Sequence, residues 1–335
     1  MFSQDYLDSM GIATWGYTEV SKPINYQKYN EWISLNQHGP LDYLADDRAK
    51  IREDLKNYYP QFESALVFLF SYQTTNQYLN QFYQTSKSNG LKIASYTLGF
   101  AGYDYHHVIK EKLELLAADI KSQFGKCEHV LALDIHPVLD RELAYSAGLG
   151  FYGKNSMLIN KSAGSFTIIG SILFDRKFDF EKKAIDSDHC GQCTRCIEAC
   201  PTEAINVNTR TINAKLCIST FTIEQFKMDT IPDPKLNLNS GFIFGCDICQ
   251  DVCPWNQRLV RKNPMAEIEI SERQKSLIDF FLVEKPETVG EKIKQLSNNE
   301  FRQFFLNTSF YRSGKRGILK NILFYLKNVS QRLIK

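Results

Sequence analysis

Eight of the nine cysteines lie between Cys190 and Cys253, in two runs whose spacing leaves the chain little freedom. The first reads Cys190-Gly-Gln-Cys193-Thr-Arg-Cys196-Ile-Glu-Ala-Cys200-Pro201. The second is Cys217 followed by Cys246-Asp-Ile-Cys249-Gln-Asp-Val-Cys253-Pro254. In a C-x2-C-x2-C-x3-C-P run, three thiolates on a tight coil reach three irons of one cube, while the fourth, at a helix start, points away towards another. Exchange between the runs sorts the eight into two sets. Cys190, Cys193, Cys196 and Cys253 are assigned to one [4Fe–4S] cluster, and Cys200, Cys217, Cys246 and Cys249 to the other. A four-cysteine zinc site would pair two short knuckles and has no use for this crossed pattern. The region reads as an electron conduit. Cys127 stands apart and is expected to fill space near the core.

The chain has 335 residues, 43% hydrophobic and 23% charged, enough for a sizeable core and unlike a disordered tail, a collagen-like repeat or a small disulfide scaffold. Its formal charge of +2 is uneven. Residues 301–335 carry eight basic side chains and no Asp or Glu, which makes that end the obvious electropositive surface. The N-terminal MFSQDYLDSMG lacks the charge and apolar run of a signal peptide, and no segment approaches a membrane-spanning length. A soluble, cytoplasmic protein is expected, and nothing demands more than a monomer.

Three regions follow from composition. Residues 1–175 alternate strand-like and helical patterns, the mark of an α/β unit. Residues 176–262 hold the cysteines, and their spacing predicts a ferredoxin-like domain with a small hairpin over Ile205–Val207 and Arg210–Ile212. Residues 263–335 read as a short all-helical region, with breaks at the acidic stretch Glu267–Glu272 and at Pro286. Within the first region, Ile109, Leu113, Leu116, Ile120 and Phe124 form a helical stripe. A strand is predicted over Val130–Ile135, with Leu131, Leu133 and Ile135 on one face and Asp134 on the other. A helix should start at an Asp140 N-cap and end at Gly148, and Ile168–Phe174 is a further strand.

Gly148-Leu-Gly150-Phe-Tyr-Gly153 matches a dinucleotide fingerprint letter for letter, but it follows a helix instead of opening one. Its glycines predict a close backbone passage beside a large ligand. The six histidines show no metal-binding spacing. Proton donation has two candidate centres, Asp104-Tyr-His106 and Asp134-Ile-His-Pro. A carboxyl group serves as an acid only if burial lifts its pKa above the usual value of about 3.9. The competing reading for Asp104 is a helix cap.

Several stretches together resemble one family, the epoxyqueuosine reductases, which are cobalamin-dependent iron–sulfur enzymes of tRNA queuosine biosynthesis. They are Gly39-Pro-Leu-Asp-Tyr-Leu44 with Arg48, Asp104-Tyr-His106, Ala147-Gly-Leu-Gly150 into Gly153-Lys-Asn155, Cys190–Ala204, Cys217-Ile-Ser219 with Thr222-Ile-Glu224, Gly245–Asn256 and the basic tail. The resemblance implies a cobalamin-binding domain similar to that of reductive dehalogenases, with base-off cobalamin near one cluster. It implies that Asp134 is the general acid, that Asp104 and His106 form the polar group near the cobalt face, and that Gly153, Lys154, Asn155 and Ser156 surround the corrin. It further implies reduction of the epoxide of epoxyqueuosine, at the anticodon wobble position of tRNA, to the alkene of queuosine, with electrons from a low-potential donor. Gly39-Pro40-Leu41 departs from the family's glycine–glutamate–methionine, and the helical region is short beside longer relatives.

The tail points to RNA by itself. Arg312, Lys315, Arg316 and Lys320 alternate with Phe310, Tyr311, Ile318 and Leu319, so apolar residues should dock a helix while the cations face phosphates. Arg258, Arg261 and Lys262 extend that surface. Two other functions fit parts of the pattern: a dehalogenase-like or corrinoid-activating reductase on a small substrate, and a non-catalytic two-cluster electron carrier.

Overall fold

The structure, a computed structural model, describes residues 2–262 and 268–333; Glu267, Pro264 and Lys335 lie outside them. Its strands are β1 (Ile12–Thr18), β2 (Ser64–Ser71), β3 (Lys92–Ile93), β4 (His129–Ala132), β5 (Phe151–Tyr152), β6 (Leu158–Ile159), β7 (Thr167–Phe174) and β8 (Phe242–Phe244). The main sheet runs in the order β1-β2-β7-β4, antiparallel throughout. β2 is buried on both faces, which is why it is apolar without alternation. Leu66, Phe68 and Phe70 meet the helix Tyr105–Phe124, while Ala65, Val67 and Leu69 meet Phe62, Leu143 and Ala144.

The helix Tyr105–Phe124 begins on its Asp104 N-cap and stops at Gly125, whose φ is 84°. Ile109, Leu113, Leu116 and Ile120 are fully buried on the sheet, and Phe124 stays at the rim. Gly170 of β7 permits that approach: a Cβ there would lie 2.9 Å from Ile109 and 3.2 Å from Leu113.

Two expected elements differ. β4 ends at Ala132, so Asp134 sits in a turn and Ile135 is 65% exposed instead of facing the core. Pro137 disfavours continuation, and the His136 ring captures the Leu133 amide at 3.0 Å, closing the turn. The next helix spans Asp140–Ser146 with Leu139 as its cap, so Asp140 lies inside the first turn. The hairpin near residue 208 reduces to a single bridge, Ile205 with Ile212.

The C-terminal helices do not pack alone. Leu277, Phe281, Val289, Ile293, Phe305, Phe310 and Ile322 share one core with Leu79, Leu91, Ile93 and Phe244. β3 pairs in parallel with β8, and so ties the first region to the cysteine-bearing one. Ser271–Gln274 and Ser297–Glu300 form capping boxes, and Pro286 opens a helix at its first turn. Among the described residues no helix is long and apolar enough to cross a membrane.

Phe281 is fully buried at the centre of that shared core. Phe281→Ala should cost about 3–5 kcal/mol, whereas loss of one cap in Ser297→Ala should cost about 1 kcal/mol. Thermal unfolding followed by circular dichroism should show the first variant melting well below the second.

Candidate active site and cluster sites

The two cysteine runs meet as their spacing requires. Cys190 and Cys193 lie on a tight loop, Cys196 is inside the short helix Arg195–Ala199, and Cys200 caps that helix. Cys217 caps the helix Ile218–Ile223, and Cys246 and Cys249 flank the start of Ile248–Asp251. Burial raises the Cys196 thiol to about 11, with further pushes from Cys190, Cys253 and Cys193. Cys253 is raised by burial and then by Cys190 and Cys193. Cys246 is raised well up by burial, then by Cys217 and Cys200, and Cys249 likewise with Cys246 added. The mutual influence of the thiols thus falls into the two crossed sets. Cys249 also feels Cys196, so the sets adjoin.

Cys190, Cys193, Cys196 and Cys253 line one cavity of about 350 Å³ with Lys154, Asn155, His189, Trp255 and Arg258. Among the described residues no three Cys, His, Asp or Glu side chains converge on a single-ion site. Thiolates spread around a cavity suit a cube better than one zinc ion. Polar side chains that spacing alone does not flag hold the second run in place. Asp247 is 4% exposed and accepts from the Ser95 amide at 2.7 Å and its hydroxyl at 2.6 Å. Asn256 accepts from the Ser165 amide at 2.8 Å and donates to the Gln250 carbonyl at 2.8 Å. Cysteine spacing alone does not single them out: Asp247 lies between Cys246 and Cys249, and Asn256 three residues after Cys253.

The segment after the glycine motif serves the same loops. Lys154 donates to the carbonyls of Gly191 at 2.8 Å and Cys193 at 3.0 Å, and buried Asn155 donates to the Cys249 carbonyl at 3.2 Å. Ser156, at φ 65°, receives the Arg141 guanidinium at its carbonyl and hydroxyl. The room that the glycines save is filled by the chain itself: a Cβ on Gly150 would lie 2.4 Å from the Ile159 carbonyl oxygen, and one on Gly153 2.5 Å from Asn155. The expected passage beside a large ligand is a passage beside other backbone.

The two acid centres form one array. Asp104 both caps its helix, accepting from the His106 amide at 3.0 Å, and contacts the His106 ring Nδ1 at 2.7 Å. The other ring nitrogen, Nε2, lies 2.8 Å from Asp134 Oδ1. The Tyr105 hydroxyl donates to Asp134 Oδ2, and the Tyr105 ring stacks on His106 with centroids 4.1 Å apart. Burial pushes Asp134 up, but His106, Tyr105 and Arg312 together outweigh it, and its pKa is lowered. The expectation of a raised Asp134 is therefore corrected: a cation at contact distance wins over desolvation. Burial acts to lower His106, and the two carboxylates overcome it, raising the imidazole to about 9. The proton of this array rests on His106 at neutral pH.

Asp134 is 54% exposed, yet it is ringed by groups that share its field: Tyr43, Tyr96, Glu224 and Arg312. Its carboxylate is open to solvent. Tyr96 packs edge-on against Tyr105 at 5.8 Å and touches the space beside Gly245, next to Cys246. Asp140 is pushed up to about 8 by burial and then by Asp134, so a protonated carboxyl group lies near the ionised one.

The four basic residues of the tail divide. Arg316 is exposed, and Lys315 donates to the Leu296 carbonyl at 2.5 Å. Arg312 pairs with Glu224 at 2.7 Å. Lys320 is 5% exposed and does not face solvent as expected. Its ammonium lies 3.7 Å from the Phe221 ring and donates to the carbonyls of Phe221 and Gln225. It thereby satisfies the end of the helix whose start carries Cys217, and burial lowers its pKa to about 7.

Comparison with known proteins bears on these residues. A family model described as a 4Fe-4S double cluster binding domain matches residues 189–256, and one described as epoxyqueuosine reductase QueG, DUF1730, matches residues 52–134. The epoxyqueuosine reductase of Cyclobacterium marinum is 33% identical over 323 residues, 96% of this chain and 94% of the relative. An epoxyqueuosine reductase structure from Streptococcus thermophilus superposes with a TM-score of 0.75 at 23% identity, covering 98% of this chain and 81% of that one. Another, an epoxyqueuosine reductase crystallised with an epoxyqueuosine-modified tRNA-Tyr stem loop, gives a TM-score of 0.72 at 24% identity, covering 97% and 81%. Both solved structures share the fold.

A histidine whose pKa rises on folding stabilises fully below its unfolded value of about 6.5 and loses that contribution as the pH rises through about 9. Nuclear magnetic resonance of ring-labelled histidine should find His106 titrating near 9, and Asp134→Asn should bring the midpoint down. A wild-type midpoint near 6.5 would dissolve the array.

Proposed function

The chain belongs to the epoxyqueuosine reductase family, and from that premise we propose that it reduces the epoxide of epoxyqueuosine in tRNA to the alkene of queuosine. It is an oxidoreductase with an iron–sulfur domain. The observation that carries the reading is the Asp104–His106–Asp134 array, packed through Tyr105 against Tyr96, whose ring lies beside Gly245 next to Cys246. Conversion of an epoxide to an alkene takes two electrons and two protons and releases water. The array offers a source of protons beside a source of electrons.

Two [4Fe–4S] clusters suit the crossed thiolate sets and the cavity that one set lines. Base-off cobalamin suits the surface beside the array. Asp134 is solvent-exposed, and Lys154 and Asn155, expected beside the corrin, line the cluster cavity. His106 faces a carboxylate at each ring nitrogen, Asp104 at Nδ1 and Asp134 at Nε2. Bound beside these residues, cobalamin would supply the low-potential reducing chemistry that opening the epoxide needs.

The protein's own contribution is the proton. Asp134 is the catalytic acid, and His106 holds the proton that refills it. A substrate that covers Asp134 removes water from it, raises its pKa and moves the shared proton from Nε2 towards the carboxyl oxygen and on to the departing oxygen. Asp104 holds the imidazole in register through Nδ1. Tyr105 fixes the other carboxyl oxygen.

For tRNA, exposed Arg316 with Lys315 and Arg312 forms the phosphate-facing group, and Lys320 is left out because it is buried. The protein acts as a monomer in the cytoplasm on this reading, fed by a low-potential electron donor.

Asp134→Asn should keep iron, sulfide and corrinoid content while losing at least about 100-fold in turnover of epoxyqueuosine-bearing stem loop; wild-type turnover would remove Asp134 from the proton path. In salt titrations of stem-loop binding, Arg316→Gln should reduce the slope of log K against log salt by about 0.7–0.9, the loss of one phosphate contact. Lys320→Met should leave that slope unchanged and lower the melting temperature. The reverse pattern would return Lys320 to the RNA face.

A further inference from the structure

We propose that the cationic rim of the Cys190–Cys193–Cys196–Cys253 cavity is the docking surface for an acidic one-electron carrier protein. The inference rests on the two-cluster reading above and assigns the face through which electrons enter.

Access separates the two thiolate sets. Around the first, Gly191, Gln192, Thr194 and Arg195 are exposed, and the cavity is bordered by the exposed Pro254 and Arg258. Around the second, Pro201 is the one exposed neighbour of a cysteine among the described residues, while Ile218 is 2% exposed, Asp247 4% and Gln250 6%. Electron transfer between proteins falls steeply with distance, so a soluble carrier has to approach the first set. The second set adjoins it through Cys249 and Cys196 and lies behind Gly245 and Tyr96.

Charge identifies the kind of partner. The helix Pro254–Lys262 leaves directly from Cys253 and carries Arg258, Arg261 and Lys262, all exposed, with no carboxylate in its sequence. Arg195 stands on the opposite lip and reaches Gln257 of that helix at 3.2 Å. The rim's own carboxylates are already matched: Asp186 by Lys161 at 2.5 Å and Asp188 by Arg210 at 2.6 Å, while Glu198 is bonded to the Thr194 hydroxyl. Apolar surface lies among the cations. The Trp255 ring stacks under Arg258 at 4.9 Å, and Val260 is 40% exposed. A small patch of cations and apolar groups over a redox centre suits a brief, electrostatically steered encounter.

RNA would also meet cations, but a phosphate backbone gains nothing from a thiolate cavity at their centre, so Arg258, Arg261 and Lys262, expected from sequence to extend the RNA surface, are assigned here to the carrier. Each encounter oxidises the carrier by one electron and reduces one cluster by one. Two encounters supply the pair of electrons that, with two protons, turns the epoxide into alkene and water.

The test compares R195E/R261E/K262E with wild type, both anaerobic and with matched iron and sulfide content. Cluster bleaching is followed by stopped flow with a reduced plant-type [2Fe–2S] ferredoxin, and separately with dithionite. The ferredoxin second-order rate should fall at least about tenfold at low salt and lose its salt dependence. Dithionite bleaching and stem-loop affinity should not change, and R195K/R261K/K262R should keep the wild-type ferredoxin rate. An unchanged ferredoxin rate in the charge-reversed protein overturns the proposal, as does a loss of stem-loop affinity with the ferredoxin rate intact. Wild-type protein that dithionite does not bleach would instead strike the two-cluster reading, and this inference with it.

Discussion

The return of Cys253 to the loop of Cys190 is the constraint on which the rest depends. It requires residues 190–200 and 246–253 to abut although some fifty residues separate them in the chain. Protein contacts alone already hold that arrangement. Asp247 is locked to Ser95, Asn256 to Ser165, and Asn155 to the Cys249 carbonyl, each joining the cysteine loops to the α/β region. Buried polar groups satisfied in this way fix one geometry, since any displacement leaves a donor or acceptor unpaired in the interior. The thiolates are therefore presented in their two sets by the polypeptide itself, and β8 is carried against β3 as a consequence.

The acid array uses opposite physics. Asp104 and Asp134 flank one imidazole, and the field of two carboxylates outweighs the desolvation that would neutralise it. This leaves a solvent-exposed, ionised carboxylate with an imidazolium beside it, a pair that a covering substrate can retune by excluding water. Arg312 and Glu224 extend that field. A cation that belongs by position to the basic tail thus contributes to the electrostatics of the active site.

Much of this was legible in the sequence where a period or a spacing carries it. The stripe from Ile109 to Ile120 and the strand over Ile168–Phe174 rest on local patterns that packing preserved. Other readings failed for identifiable reasons. The strand over Val130–Ile135 stops early because a histidine ring three residues away caps the Leu133 amide. Lys320 shares a helix with exposed Arg316, but its stem lies on the face that packs on Phe221, so burial overrode charge. The glycines after residue 148 allow close approach as expected, to backbone and not to a ligand.

Cysteine spacing and the helix that starts at Asp104 were legible in the sequence alone, because ligand spacing and helical periodicity act over a few neighbouring residues. Only the tertiary structure decided that Asp104, His106 and Asp134 form one array, that the proton rests on the imidazole, and that Arg312 pairs with Glu224 while Lys320 is enclosed. Those outcomes depend on distances between residues far apart in the chain and on how much water each retains. Neither quantity is written in the order of the amino acids.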